Sequence, residues 1–249
     1  MASKIEESLI VYGKQPVCEA LEHRLSSVEK VFIQNKKDGG PDERLARLVA
    51  GLDGSQVKKV NQEELDSLSN FSNHQGVVAK LSSQNSVSIN ELCQAASKKT
   101  IVALDEISDP QNLGSIFRVS EAAGVGAILN TKRRSASVTG VVRKASAGAS
   151  EVLPICEVSN LVRALEELKK AGYWIIGTSL SAESQELYTS ELPEPAVVVL
   201  GSEGKGLRPL VAKHCDVLIS IPMQGKIQSL NVSQAAAVVL FELVRSQKQ

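Results

Sequence analysis

A strand that runs into proline and then into a long apolar helix fixes how this chain can end. Val217, Leu218, Ile219 and Ile221 come in quick succession, and Pro222 stops the ladder because it has no N–H to give. Gly225 lets the backbone turn. Ser229, Leu230 and Asn231 open a helix, and residues 235–244 are apolar on almost every face, the pattern of a buried helix. Asn231 with Gln234 three residues on has the spacing of a capping pair, so Ser229 and Asn231 read either as caps or as site residues. Two upstream stretches are built alike, DPQNLGSIFR after the strand TIVAL and GSEGKGL after the strand AVVVL. Three polar, glycine-bearing loops after three apolar strands are more than a core requires.

The rest of the chain alternates strands with helices, which means an α/β layer fold. Strands are expected at 9–12, 28–34, 56–60 and 75–81, with helices at 16–25, 42–52 and 61–68 and a turn at KKDGGP. This gives a first module over residues 1–81. Gly13 there is a strand-to-helix turn or a point of close RNA approach. Residues 82–99, opening with the Ser-rich SSQNSVS, read as a linker with a short helix. Residues 100–249 form the second domain, with strands at 100–104, 125–129, 152–158, 173–177, 196–200 and 216–221. The strand 196–200 is apolar throughout, as in a parallel sheet covered on both faces.

Composition narrows the function. The hydrophobic fraction of 43% supplies a core, and a formal net charge of +0 leaves no global basic field. Nucleic-acid binding then needs a local patch. Between Thr131 and Gly148 stand Lys132, Arg133, Arg134, Arg143 and Lys144 with no acid among them, either a solvated face or a phosphate-binding run. Cys18, Cys93, Cys156 and Cys215 form no C-x-x-C pair, which argues against zinc and disulfides and fits a reduced cytoplasmic setting. No secretory pattern or membrane-length run is present. The GSEGKGL loop has neither the phosphate-loop nor the dinucleotide spacing, and no G-x-S-x-G elbow occurs.

IPMQGKIQSLNVSQAA, VVVLGSEGKGL and DPQNLGSIFR together resemble the three motifs of the SpoU/TrmH family of RNA ribose 2′-O-methyltransferases in the SPOUT superfamily. VYGKQPVCEAL and HQGVVAKL resemble the ends of the substrate-binding domain of that family's rRNA branch. The resemblance implies an α/β protein with an L30e-like N-terminal domain and a SPOUT domain carrying a deep trefoil knot. It implies S-adenosylmethionine as cofactor, no metal, and a homodimer whose active site is completed at the subunit interface. The expected reaction is methylation of a guanosine ribose in 23S rRNA. The alternatives are the same chemistry on tRNA or another rRNA nucleoside, and a non-catalytic RNA-binding protein. By position, Gly201, Ile221 and Leu230, with Leu200 and Met223, are expected to hold the cofactor. Asn112, Arg118, Glu203, Ser229 and Asn231 match the polar active-site positions. Arg118 is expected to hold phosphate and stabilise the alkoxide, since arginine stays protonated. Arg133, Arg134, Arg143 and Lys144 are the expected RNA contacts.

Overall fold

A computed structural model describes residues 9–35, 43–82, 85–181 and 183–246. The turn expected at KKDGGP (36–41) lies outside the described residues. The chain divides into two compact units, residues 1–85 with 138–152, and residues 86–137 with 153–249.

In the first unit, β1 (Leu9–Tyr12), α1 (Lys14–His23), β2 (Val28–Gln34), α2 (Glu43–Ala50), β3 (Val57–Val60), α3 (Gln62–Leu68) and β4 (Val77–Leu81) follow one another. The sheet order is β1-β4-β2-β3. β4 is central and pairs antiparallel with β1 and β2, while β3 joins β2 in parallel. Val11, Val17, Leu21, Val31, Leu45 and Ala79 meet in its core. Asn61 caps α3, its side chain accepting from the Glu64 N–H at 2.9 Å. The Glu64 carboxylate pairs with Lys58 instead of closing a capping box.

The second unit begins with α4 (Ile89–Gln94), which lies within the expected linker. Leu92 is buried in the core of this unit, against a sheet that includes Ala103, Leu129 and Val199. Apolar Val87, Ile89 and Leu92 give the segment a packed face that its serines hide at sequence level. Then come β5 (Ile101–Asp105), α5 (Pro110–Ala122) and β6 (Ala127–Thr131). The chain next makes α6 (Gly140–Ala145) and α7 (Ala149–Val152), both in the first unit. It returns with β7 (Ile155–Val158), α8 (Leu161–Lys170), β8 (Trp174–Thr178), β9 (Gln185–Glu186), β10 (Ala196–Gly201), α9 (Pro209–Lys213), β11 (Val217–Ser220) and α10 (Val232–Ser246). The strand expected to start at 152 starts at Ile155, because Val152 closes α7.

The sheet of the second unit has the order β7-β6-β5-β10-β8-β11-β9 and is parallel at every pairing. β5 and β10 are buried at every residue, which is why they read as apolar runs. α10 departs from expectation. It packs Val232, Ala236, Val239, Leu240 and Leu243 inward but leaves Phe241 50% exposed.

The residues 138–152 explain their own grouping. A side chain on Gly148 would lie 2.3 Å from Glu19 Cγ, so α7 sits close on α1. Glu151 is fully buried between Arg24 and Arg143, and accepts from both guanidinium groups. Burial pulls the Arg24 pKa down, and Glu151 opposes that pull. Arg143, expected to meet RNA, is therefore a core cation, 1% exposed. Its acid lies eight positions later, outside the basic run.

Candidate active site

A cavity of about 250 Å³ opens at the C-terminal ends of β8, β10 and β11. Ligands in parallel α/β sheets bind at this edge. Thr178, Gly201 and Ser220 bring the three strand ends to it. The apolar wall is Ile219, Ile221, Met223, Leu230, Ala235 and Val239, and the polar rim holds Glu203, Ser229 and Asn231. Gly201, Ile221, Met223 and Leu230 thus line one cavity. Leu200 does not, since alternation along β10 turns its side chain into the core, where it is fully buried.

Gly201 has no room for a side chain. A Cβ there would lie 2.2 Å from the Gly206 carbonyl carbon and 2.4 Å from the Leu207 nitrogen. The loop turns back on itself, with Ser202 N–H donating to the Gly206 carbonyl at 3.1 Å and Gly206 N–H returning to Ser202 at 2.9 Å. Its far end is tied to the sheet. Asp105, 1% exposed at the end of β5, accepts from the Arg208 backbone N–H at 2.8 Å and from Arg208 Nε at 2.6 Å.

The polar side chains of the three loops form one relay. Asn231 Oδ1 accepts from the Ser233 N–H at 2.8 Å and the Ser233 hydroxyl at 2.7 Å. A backbone N–H can only donate, so this fixes the Asn231 amide with its nitrogen outward. Asn231 Nδ2 donates to Asn112 Oδ1 at 2.9 Å, and Asn112 Nδ2 donates to Glu203 Oε2 at 3.3 Å. The Asn231 oxygen caps α10, and its nitrogen joins the relay. The capping partner is Ser233 rather than Gln234.

α5 opens within the DPQN stretch. Asp109 is its cap, accepting from Gln111 and Asn112, and Pro110 is its first residue. Asn112 therefore lies inside the first turn, 7% exposed, behind the cavity rim. Arg118, six residues on, is exposed, makes no hydrogen bond or ion pair among the described residues, and does not line the cavity.

The basic candidates separate. Arg133 and Arg134 are exposed in the second unit, and Arg134 pairs with Glu106 at 3.2 Å. Lys144 is in the first unit and donates to the Asn73 carbonyl at 2.9 Å. Sequence reasoning missed Ser233, Asp105 and Arg208, although the strand-end position of Asp105 was a usable signal. Elsewhere, Glu19, Glu22 and His23 bring three possible ligand atoms within 4.8 Å, but Arg44 already pairs with both carboxylates. The Arg44 hydrogen bond holds the Glu22 carboxyl below the usual range. None of the four cysteines forms a disulfide, and burial pushes the Cys156 thiol to about 11 and Cys215 to about 12. No helix among the described residues is long and apolar enough to cross a membrane.

Fold and cavity define a parallel α/β protein with a cavity at the strand ends, in a chain that also carries a separate mixed α/β unit. A sequence model of the SpoU rRNA methylase family matches residues 99–241, and one for RNA 2′-O ribose methyltransferase substrate binding matches residues 10–87. The 23S rRNA (guanosine-2′-O-)-methyltransferase RlmB of Haemophilus ducreyi is 39% identical over 94% of this chain and 96% of its own. The Pseudomonas putida protein of the same name is 38% identical over 96% of each. An AdoMet-bound rRNA methyltransferase structure from Sinorhizobium meliloti aligns with a TM-score of 0.77 at 26% identity, over 96% of this chain and 87% of that one. The chain belongs to the SpoU rRNA methylase family.

Proposed function

We propose that the chain is an S-adenosylmethionine-dependent methyltransferase acting on the 2′-hydroxyl of a guanosine ribose in 23S rRNA. The observation that carries this reading is the relay from Ser233 through Asn231 and Asn112 to Glu203, at the rim of an apolar cavity. The activity of the relatives, 23S rRNA guanosine 2′-O-methylation, supports the choice of substrate.

The residues fit the cofactor. Ile219, Ile221, Met223 and Leu230 would offer apolar surface to a purine, bare backbone at Gly201 would allow close approach, and Glu203 would bring a carboxylate to a cationic group. When bound, the cofactor supplies an electrophilic methyl group on a positive sulfonium. Displacement at such a carbon needs no Lewis acid, so the reading uses no metal. Asn112 is a positioning residue, because its amide oxygen and nitrogen are already committed within the relay. It holds Glu203 and Asn231 in register across two loops. The Ser229 hydroxyl makes no hydrogen bond among the described residues and is available to a ribose oxygen. Arg118 holds an RNA phosphate and the charge that develops on the 2′-oxygen, whose proton leaves to phosphate or water.

Arg118 outside its own cavity, and Phe241 half-exposed on α10, support a homodimer in which Arg118 of one protomer completes the cavity of the other. The trefoil knot belongs to the same reading, supported by the way residues 201–206 and 221–231 wrap a single cavity. So does action in the cytoplasm, supported by four cysteines none of which forms a disulfide.

Labelled S-adenosylmethionine and a protein-free 23S rRNA transcript test the reading, with mass mapping of the product. Label in a guanosine ribose is the expected result. Label in tRNA alone would move the substrate. Binding of RNA and cofactor without transfer would make this a non-catalytic RNA-binding protein.

A further inference from the structure

The first unit displays an aromatic ring that its core does not use. Of the four phenylalanines, Phe32 and Phe117 are buried, while Phe71 is 83% exposed. A single exposed apolar side chain is ordinary. This one is set on a loop that is anything but loose. Asn70 and Phe71 hold φ of +51° and +56°, a region that side chains with a Cβ avoid. Phe71 N–H donates to the Asp66 carbonyl at 2.6 Å, Asn70 N–H to Ser67 at 3.2 Å, and Ser72 N–H to Ser69 at 3.2 Å. The Ser69 hydroxyl reaches the Asp66 and Ser72 carbonyls. His74 closes the loop. Its Nδ1 accepts the Gly76 N–H at 3.0 Å, so its proton is on Nε2, which faces Asp66 Oδ1 at 3.0 Å.

The loop is thus pinned by its own backbone while the ring stands in solvent. Beside the ring opens a cavity of about 610 Å³, walled by Lys14, Gln34, Gln62, Asn73, His74 and Gln75. A flat apolar face next to a wall of amides has the chemistry of a nucleobase site: the ring covers the base face, and amides match donors and acceptors on the base edge. An apolar partner would leave most of that polar wall unpaired. Duplex RNA keeps its bases stacked on each other, so only an unpaired base can reach the ring.

We propose that Phe71 is a stacking platform for an unpaired base of the RNA substrate, with the amides of Gln34, Gln62 and Asn73 against that base's edge. This rests on the proposed RNA-methylating function. Nothing in the catalytic cavity takes part, so the two can fail separately.

The test uses full-length protein, a protein-free 23S rRNA transcript as probe, and excess fully paired RNA as competitor to remove backbone-only binding. One stacked base is worth about 1–3 kcal/mol, so Phe71→Ala should weaken binding by about fivefold to 150-fold. The KM for transcript should rise with kcat and cofactor affinity unchanged. Phe71→Trp should bind as wild type, and melting temperatures of both variants should match wild type. Affinity of Phe71→Ala equal to wild type overturns the inference and leaves the methyltransferase reading standing. A wild-type protein that binds no RNA and transfers no methyl group overturns both. If Phe71→Ala instead shifts the sedimentation of the free protein to a smaller species, the ring is a contact between copies and the inference falls.

Discussion

Gly201 offers the sharpest test of the cofactor loop. In Gly201→Ala the new Cβ would meet the Gly206 carbonyl carbon at 2.2 Å, Leu207 N at 2.4 Å and Gly206 O at 2.5 Å. All three are backbone atoms, so no flexible side chain can swing aside. Carbon atoms rest at about 3.5–4.0 Å, so the loop has to retreat by roughly 1 Å or more. That retreat breaks the paired hydrogen bonds of Ser202 and Gly206, at 3.1 and 2.9 Å. Two such bonds are worth about 1 kcal/mol each, and overpacking a close contact adds about 1–3 kcal/mol. The expected destabilisation is about 3–5 kcal/mol. Gly204 and Gly206 are internal controls, with φ of +80° and +66° and nothing within 4 Å of a Cβ. Alanine at either position meets only the left-handed backbone cost, about 1–2 kcal/mol. Urea melts of the three variants measure the ranking, and calorimetry with S-adenosylmethionine measures the cavity. Gly201→Ala should lose at least about tenfold in affinity, equivalent to 1.4 kcal/mol. A Gly201→Ala variant that melts no earlier than Gly206→Ala and binds cofactor as wild type would refute the packing described for this loop.

Four further outcomes are expected. Arg118→Ala should cut single-turnover methylation by about 100- to 1,000-fold while cofactor affinity and melting stay unchanged, and Arg118→Lys should rescue only in part. Near wild-type rates would remove Arg118 from the mechanism. Glu151→Ala removes the buried acid of Arg143 and should destabilise by about 3–5 kcal/mol in urea melts; a change within experimental error would mean the pair is not buried as described. Asn112→Ala and Asn231→Ala should be non-additive in turnover, because each breaks the same relay, and additivity in the double variant would separate them. Burial raises the Cys215 thiol from 9.0 to about 12, so the folded protein keeps that proton where the unfolded chain has lost it. Its stabilising effect is complete below about pH 9 and fades as pH rises toward 12, and Cys215→Ala should flatten the alkaline fall in melting temperature.

The strands of the second unit were legible because a parallel sheet buries both faces, which writes itself as unbroken apolar runs such as AVVVLG. The loops after β5, β10 and β11 were legible because polar residues with glycine at strand ends have no packing role. What stayed hidden depends on contacts far apart in sequence. Arg143 reads as a surface charge because its neighbours are basic and its acid, Glu151, stands outside the run, brought round by the turn from α6 to α7. The serines of 82–88 read as a linker, yet Leu92 just beyond them is core. Ser233 reads as one more helical residue, and only the bond to Asn231 shows what it does. Arg118 has the right spacing for a site residue, but Asn112 and Arg118 point to different surroundings, one buried and one in solvent.

Residues 138–152 lie in the primary structure between β6 and β7, but they are part of the first unit. A protein engineer cutting the gene after codon 85 would discard Gly148, Arg143 and Glu151, and would strand the Arg24 guanidinium without its acid. The same cut would leave the other fragment with an insertion whose buried groups, Arg143 and Glu151 among them, belong to the first unit. The first unit is therefore drawn from two separate stretches of DNA. Any recombination that swaps the first module for another has to bring its own version of these fifteen residues, or replace them with a short connection from β6 to β7.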